Sequence, residues 1–549
     1  MKVNVPVKKG DNIELQIAGL GSSGEGVGRY DGFTVFVRGA LPEETVQAEI
    51  VLVKKNYAVG KLIKIITASP DRVEPVCPVY ADCGGCQLQH LSYAGQLRMK
   101  QQQVKDALTR IGHLDTEVLP VIGCNNPWNY RNKMQFPAAS GAEGKISIGC
   151  YAAATHSVID TGSCMIQKEA NNEVLTTVRK WMQRYGISAY DEKTGKGLIR
   201  HVMSRVGVHS GEVMAVLITS AYDIPHKKEL VEWLTKYVPN LVSVVQNINK
   251  KPTNIVMGNK TRVLYGQPTI TDSLGALNFN ISAQSFFQVN SEQAEKLYNK
   301  ALEYAALSGN ETVVDVYCGT GTISLYLAKH AGKVYGIEIV APAIDDAKKN
   351  AQENNCNNAE FILGDAAEKL PQLLAEGVKP DVVVVDPPRA GCEQKVLKAI
   401  ADVEPQRIVY VSCNPASLAR DLAYLAERGY KAMAAQPVDM FPMTSHVETV
   451  VSLSKGYIDH DSVNIEVSLE DMDFSAYRGK ATYKEIHNYV LERFNLKVST
   501  LNISQVKRKS GISMGTNYNK SKSENIKIPQ CTPEKEEAIL DALKHFNII

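Results

Sequence analysis

The sequence contains no run of 18 apolar residues, and its first 20 residues, MKVNVPVKKGDNIELQIAGL, lack the apolar core of a signal peptide. A membrane-spanning helix needs about 20 consecutive apolar residues, and a secretory signal needs a shorter apolar stretch near the start. We therefore expect a protein of the cytoplasm that does not cross a membrane.

Cysteine is also scarce, at 11 of 549 residues, and unevenly spaced. A disulfide scaffold is thereby excluded, so the cysteines are expected to serve as thiols, metal ligands or a nucleophile.

Charge of one sign is not in excess either, because the sequence has 61 Lys and Arg and 59 Asp and Glu. This balance does not by itself indicate a nucleic-acid partner, and any basic surface must be local. The length suits about three or four domains.

Residues 1–70 predict a small β-barrel. The segments IELQIAGL, FTVFVRG, TVQAEIVLV and AVGKLIKII read as short strands separated by turns that contain Gly or Pro. Four or five strands in so short a stretch suit a closed barrel of the oligonucleotide-binding type. The pattern alone leaves open whether this barrel binds a ligand.

Residues 281–455 predict a doubly wound α/β domain. Nearly continuous β-branched runs such as VVVV and RIVYV alternate with helical segments, which is typical of a parallel sheet covered on both faces. Residues 71–280 predict a mixed α and β domain before it. Within that domain a helix over Ser92 to Ile111 places Leu97, Val104 and Leu108 on one face with Ile111, and we expect this helix to pack on the α/β domain.

The end of the chain divides by charge. Residues 457–477 carry six acids and no Lys or Arg, so residues 456–477 are interpreted as an acidic linker. Residues 478–527 carry eleven Lys and Arg against three Glu, a net charge of +8. In this basic helical extension, 478–549, TYKEIHNYVLERF and SQVKRKSG resemble a helix-turn-helix with a basic second helix. Two interpretations of this basic helix stay open: it contacts RNA or DNA, or it is the solvent-exposed face of a small helical bundle.

A glycine loop indicates a cofactor site at the edge of the α/β sheet. The loop DVYCGTGTIS, residues 315–324, opens a helix, and Gly319 and Gly321 allow the backbone to approach a ligand. Glu338 ends the next strand, where an acid can accept hydrogen bonds from ribose hydroxyls. Asp365, after EFILG, is placed to meet an adenine edge. These features suit S-adenosylmethionine at least as well as NAD.

Three further side chains are predicted at the same sheet edge. Asp386 ends a strand just before two prolines, which stiffen the loop. Cys413 follows the next strand, close to a helix N-terminus that would favour a thiolate. Glu448 begins the last strand, in HVETVV, and could act as a general base. His446 could assist at this site, although a packed strand histidine is the favoured interpretation.

A cysteine-rich loop, CPVYADCGGCQLQH, predicts a metal centre. It contains three cysteines within ten residues: Cys77, Cys83 and Cys86. A fourth ligand must come from elsewhere, and Cys164 is preferred over Cys124 and Cys150, although spacing does not decide between them. Four thiolates fit either zinc or an iron–sulfur cluster.

The motifs DVYCGTG, DPPRAG, VSCNPAS and HVETV, in this order and spacing, resemble the RumA/TrmA family of RNA uracil-5 methyltransferases. Residues 1–70 resemble the TRAM RNA-binding domain. Residues 71–280 are interpreted as a central RNA-binding domain, and the cysteine loop within them resembles the 4Fe-4S ligand loop of the ribosomal branch. The resemblance covers about Asp11 to Lys455 and leaves out the basic extension. It implies S-adenosylmethionine and a 4Fe-4S cluster as cofactors and 23S rRNA as substrate, with tRNA as the nearest alternative.

The resemblance also implies a mechanism. Cys413 would attack carbon 6 of a flipped uracil, carbon 5 would take the methyl group, and Glu448 would remove the carbon-5 proton. Asp386 would bind the uracil edge or the cofactor side. The expected cofactor contacts are Gln288, Tyr317, Gly319, Gly321, Thr322, Glu338, Asp365 and Asp386. The chain departs from many relatives in having Tyr317 in place of Phe and Thr322 where some have Asn.

Three other functions compete with this interpretation. An exocyclic-amine methyltransferase has an Asn-Pro-Pro loop similar to DPPR but needs no nucleophile. A non-catalytic RNA-binding factor would not retain Cys413, Asp386 and Glu448 together. A NAD-dependent dehydrogenase shares the glycine loop. We expect a monomeric enzyme.

Overall fold

Five strands at the start of the chain close into a barrel in the computed structural model, which describes residues 5–141, 144–456, 483–494, 496–510 and 531–546. Burial alternates along the first strand, where Ile13, Leu15 and Ile17 point into the barrel between exposed residues. The predicted barrel is confirmed, with the order β1-β2-β3-β5-β4. Its strands are β1 (Asn12–Leu20), β2 (Gly26–Tyr30), β3 (Phe33–Arg38), β4 (Thr45–Val53) and β5 (Tyr57–Thr67).

A seven-stranded sheet with the order β13-β12-β11-β10-β7-β8-β9 follows. Its central strands are buried on both faces: alternate residues of β11 pack against α2 and α3 on one side and against the β14–β15 hairpin on the other. The elements of this region are β7 (Lys133–Ser140), β8 (Ile146–Tyr151), β9 (Val158–Asp160), α2 (Glu169–Tyr185), β10 (Ile199–Val206), β11 (Val213–Thr219), α3 (Lys227–Tyr237), β12 (Leu241–Ile248), β13 (Lys260–Gly266), β14 (Thr269–Leu274) and β15 (Leu277–Ser282).

An eight-stranded sheet with the order β18-β17-β16-β19-β20-β22-β21-β6 forms the predicted doubly wound α/β domain. Strands β16 to β20 are parallel, and β22 runs antiparallel to both of its neighbours. The strand order reverses between β16 and β19, and this switch point is where such sheets bind ligands. The elements are β6 (Glu117–Val118), α4 (Ser291–Ala305), β16 (Thr312–Val316), α5 (Thr322–Ala328), β17 (Lys333–Glu338), α6 (Ala341–Glu353), β18 (Ala359–Leu363), α7 (Ala366–Ala375), β19 (Val382–Val385), α8 (Gln394–Asp402), β20 (Arg407–Ser412), α9 (Pro415–Ala426), β21 (Tyr430–Val438) and β22 (Glu448–Lys455).

Helix α1 (Tyr93–Arg110) packs on this same domain. Ser92 caps its first turn, and Val104 and Leu108 share a core with residues of the eight-stranded sheet. Ile111, expected on the buried face, is 49% exposed beyond the last turn. The buried face instead includes the polar side chains of Gln96 and Lys100.

The second compact unit is residues 459–549. Its described residues form three helices around a small apolar core: α10 (Tyr483–Phe494), α11 (Thr500–Lys509) and α12 (Pro533–His545). On α11, the predicted basic helix, Lys507 is buried and Lys509 pairs with Glu536 of α12 at 2.7 Å. Nucleic-acid contact by this unit stays a prediction, and most of the acidic linker lies outside the described residues. No helix in the described ranges is long and apolar enough to cross a membrane.

Candidate active site

Strand register brings the three predicted catalytic side chains to one edge of the eight-stranded sheet. Asp386 follows β19 and Cys413 follows β20, and these strands are parallel neighbours. In the antiparallel pair β20–β22, Ser412 lies opposite Thr449. Glu448 is therefore the residue beside Cys413, although 35 positions separate them in the sequence.

The glycine loop after β16 lies at the same edge. Gly319 and Gly321 have φ angles of 55° and 80°, in the left-handed region that favours glycine. The Glu338 carboxylate accepts hydrogen bonds from the backbone N–H groups of Gly319 and Val340, at 3.2 and 2.9 Å. A Cβ on Gly319 would meet no atom within 4 Å, so the backbone here faces open space suited to a ligand.

These groups line one cavity of about 610 Å³. The predicted residues that line it are Gln288, Tyr317, Gly319, Thr322, Glu338, Asp386, Cys413 and Glu448. Two predicted cofactor residues, Gly321 and Asp365, are not among its lining residues. Gly321 packs against the Phe361 ring, and Asp365 caps α7 and pairs with Lys395 at 2.6 Å.

The lining residues that were not predicted as site residues from the sequence include Arg131, Phe286, Tyr298, Phe441 and His446. His446 was expected to be packed within a strand, but its Nε2 lies in the cavity wall 3.4 Å from the guanidinium of Arg389. Burial, assisted by Arg389, lowers the pKa of His446 to about 4, so its ring is neutral. Proximity in sequence to HVETV and SFFQVN could have indicated His446, Phe441 and Phe286.

The thiol of Cys413 has a raised pKa. Burial first, and then the carboxyl groups of Glu448 and Asp386, raise this pKa to about 11, and Arg389 opposes them. The N-terminus of α9 favours the expected thiolate, whereas burial and the two carboxyl groups act against it. Desolvation and two like charges outweigh the helix terminus.

The carboxyl groups of the cavity are also perturbed. Burial raises the pKa of Glu448 to about 8, with Asp386 as the second cause, and raises that of Asp386 to about 7. Asp315, whose Oδ2 accepts a hydrogen bond from Ser324, is raised to about 7 as well. Groups that exchange protons near neutral pH are typical of catalytic cavities.

Models of two known families match this chain, one at the N-terminal barrel and one over the catalytic domain. The model of the tRNA (Uracil-5-)-methyltransferase family matches residues 224–456, and that of the TRAM domain matches residues 6–63. An "uncharacterized RNA methyltransferase" of Clostridium tetani is 52% identical over 454 residues, which is 83% of this chain and 98% of the relative. This chain belongs to the RNA uracil-5 methyltransferase family. A relative from Halalkalibacterium halodurans is 51% identical over 82% of this chain and 99% of its own length.

A solved uracil-5 methyltransferase has the same fold. The Pyrococcus abyssi tRNA (uracil-54, C5)-methyltransferase, in complex with S-adenosyl-L-homocysteine, has a TM-score of 0.65 and 28% identity over 80% of this chain and all of that one. The chain is thus an S-adenosylmethionine-dependent RNA uracil-5 methyltransferase. The open backbone at Gly319 and the carboxylate of Glu338 fit the cofactor.

The cysteine loop of this methyltransferase lines a second cavity of about 590 Å³. Five thiols border it: Cys77, Cys83, Cys86, Cys150 and Cys164. Cys124 lies apart, with its Sγ 3.5 Å from the Asp439 carbonyl. Across the described ranges, however, no three His, Cys, Asp or Glu side chains form a group that could hold a metal ion. The thiols are gathered, but the predicted metal centre is not supported by their arrangement.

Proposed function

We propose that this enzyme methylates carbon 5 of a uridine in 23S rRNA through a covalent adduct between Cys413 and the base. The pairing of Ser412 with Thr449 supports this, since it sets a thiol and a carboxyl side by side at the cofactor edge. Carbon 5 of uracil is a poor nucleophile until an adduct at carbon 6 makes it enolate-like. A methyltransferase acting on an exocyclic amine would not need that thiol.

The Cys413 thiolate attacks carbon 6 of the extruded uracil, a sulfur–carbon bond forms, and the π electrons of the 5,6 double bond move to the O4 enolate. S-adenosylmethionine, when bound, would supply an electrophilic methyl group: the bond from carbon 5 to the methyl group would form as the sulfur–methyl bond breaks, and S-adenosylhomocysteine would leave. The Glu448 carboxylate then removes the proton from carbon 5. The electrons of that C–H bond re-form the double bond and expel the Cys413 thiolate.

Charge in the cavity determines how the thiolate arises. The pKa of Cys413 is about 11 because burial and the neighbouring carboxylates oppose a further negative charge. Transfer of the thiol proton to the Asp386 carboxylate leaves the net charge of the cavity unchanged, removes one of the charges that oppose the thiolate and leaves Glu448 free to act as the later base. The guanidinium of Arg389 stabilises the thiolate further.

The RNA class is tested with both substrates. The cysteine loop and the barrel support ribosomal RNA, whereas the matching family model and the Pyrococcus abyssi structure are named for tRNA. Purified enzyme is incubated with S-adenosylmethionine and either unmodified 23S rRNA or unmodified tRNA, and 5-methyluridine is quantified by mass spectrometry. Product in 23S rRNA supports the proposal, and product in tRNA alone assigns the tRNA reaction.

The nucleophile is tested in the same assay with Cys413→Ala. We expect this variant to bind S-adenosylmethionine but to form no 5-methyluridine and no protein–RNA species on a denaturing gel. Cys392→Ala, at a buried thiol outside the cavity, is the matched control and retains the product. Product from Cys413→Ala would overturn the covalent mechanism.

We further propose that Cys77, Cys83, Cys86 and Cys164 bind a 4Fe-4S cluster. The proposal rests on the resemblance of the loop to a 4Fe-4S ligand loop; the four thiols border one cavity, which Cys150 also borders, but in the described residues they do not form a group arranged to hold a metal. Iron and acid-labile sulfide are measured in anaerobically purified protein, with Cys83→Ser as the test variant and Cys124→Ser as control. About four iron atoms per chain, lost only in Cys83→Ser, support the cluster. Zinc, or no metal, overturns it.

A further inference from the structure

The segment between β21 and β22, residues 439–447, carries two side chains of the catalytic cavity. Phe441 and His446 lie on it, and Glu448 follows directly. Val438, the residue before the segment, pairs with Glu448 across β21 and β22. Whatever holds Asp439 therefore also holds the strand end beside the proposed catalytic base.

Asp439 is held by an ion pair with helix α1. The Nζ of Lys100 lies 2.5 Å from Asp439 Oδ1 and donates to the carbonyl of Phe441 at 3.1 Å. Both charged side chains are completely buried. The hydroxyl of Tyr93, also on α1, donates to Asp439 Oδ2 at 2.9 Å. A buried pair like this contributes little net stability over apolar residues of similar volume, so its use lies in fixing a geometry.

A second set of bonds joins the segment to the cysteine loop. Met443 has a φ of 67°, a left-handed conformation that a non-glycine residue keeps only when its surroundings impose it. Its N–H donates to Gln96 Oε1, and its carbonyl accepts from the N–H groups of Gln87 and Leu88. Its side chain packs in a cluster with Cys86.

We propose that Lys100 is a positioning residue for methylation. Through Asp439 it sets the end of β21 and the segment that follows, and so places Phe441, His446 and Glu448 around the reacting base. The inference rests on the proposed function, in which Glu448 removes the carbon-5 proton. Helix α1 precedes the catalytic strands in the sequence. The proposal gives it a part in the reaction, because it holds the segment that carries the cavity residues.

The test compares Lys100→Met with Lys105→Met, the same substitution at an exposed position of the same helix. For Lys100→Met we expect kcat to fall about 100-fold, the loss that a displacement of about 1 Å can cause, with affinities for S-adenosylmethionine and RNA within twofold of the parent. Because methyl transfer precedes proton removal, the covalent protein–RNA adduct should accumulate on denaturing gels. Lys105→Met should behave like the parent.

A double variant separates positioning from stability. Lys100→Met with Asp439→Leu replaces the pair by apolar side chains, and we expect its Tm to return toward that of the parent while kcat stays low and adduct accumulates. Parental kcat in the double variant, or in Lys100→Met itself, would overturn the proposal. Failure of the proposed function is distinguishable, because the unmodified enzyme would then form no 5-methyluridine or Cys413→Ala would remain active.

Discussion

At the scale of single residues, the cavity brings together two acids and a thiol whose pKa values all lie above their usual range. Burial is the first cause of the raised pKa values of Cys413, Glu448 and Asp386. Asp386 is a further cause for both Cys413 and Glu448, since two negative charges in one dry cavity repel. The reaction therefore depends on proton transfers that substrate binding permits.

The pH dependence of turnover follows from Glu448. A general base acts as its carboxylate, so with a pKa of about 8 it is mostly protonated at pH 7 and mostly ionised at pH 9. We expect kcat for 5-methyluridine formation to rise about tenfold over that range. Glu448→Gln should abolish the rise and leave the covalent adduct unresolved. A rate that falls as the pH passes 8 would contradict this role.

At the scale of elements, the glycine loop serves two purposes within three residues. Gly319 faces open space at the cavity, whereas a Cβ on Gly321 would lie 2.8 Å from the Phe361 ring. The spacing of the two glycines in the sequence does not show which of them contacts the cofactor and which is required for packing. Only the position of β18, which carries Phe361, does so.

Alanine substitutions should separate these two roles. We expect Gly321→Ala to lower the free energy of unfolding by about 1–3 kcal/mol through overpacking. Gly319→Ala should cost only about 1 kcal/mol in stability, from its left-handed conformation, but should weaken S-adenosylmethionine binding. Thermal denaturation and calorimetric titration of both variants measure the two effects. Unchanged cofactor affinity in Gly319→Ala would contradict the cofactor contact.

Helix α1 offers a second test at this scale. Leu108 is buried in the core of the eight-stranded sheet, whereas Ile111 is 49% exposed. Leu108→Ala should lower the free energy of unfolding by about 2–5 kcal/mol, because a buried side chain leaves a cavity. Ile111→Ala should change it by less than about 0.5 kcal/mol. Equal losses in denaturant unfolding would contradict the packing of this helix.

At the scale of the whole molecule, the family part and the extension are separate units. The family model ends at residue 456, the first compact unit ends at 458, and the second has its own apolar core. We expect residues 1–456 to fold and to form 5-methyluridine with unchanged affinity for S-adenosylmethionine. Circular dichroism and the mass-spectrometric assay check this. A truncated chain that fails to fold would show that the first unit needs the second.

The sequence by itself determined the barrel, the doubly wound sheet and the family, because strand periodicity and motifs with fixed spacing are local properties of the chain. It also predicted that Cys413, Glu448 and Asp386 share one sheet edge, since each adjoins a recognisable strand, and all three line one cavity; their catalytic roles stay a prediction. The interpretation of Asp365 as a cofactor contact remains a prediction. Its carboxylate forms an ion pair with Lys395, and Asp365 is not among the residues that line the cavity.

Only the tertiary structure decided which distant groups share the cavity and what charge they carry. Arg131, which precedes the seven-stranded sheet in the sequence, lines the cavity. Lys100 forms an ion pair with Asp439, although 339 positions separate them in the sequence. No local pattern predicts such contacts, because a polar residue on a helix normally faces solvent. The resting protonation of Cys413 likewise depends on burial and on neighbours that lie far apart in the chain. The physical reason is that desolvation and charge repulsion arise only once the chain has folded.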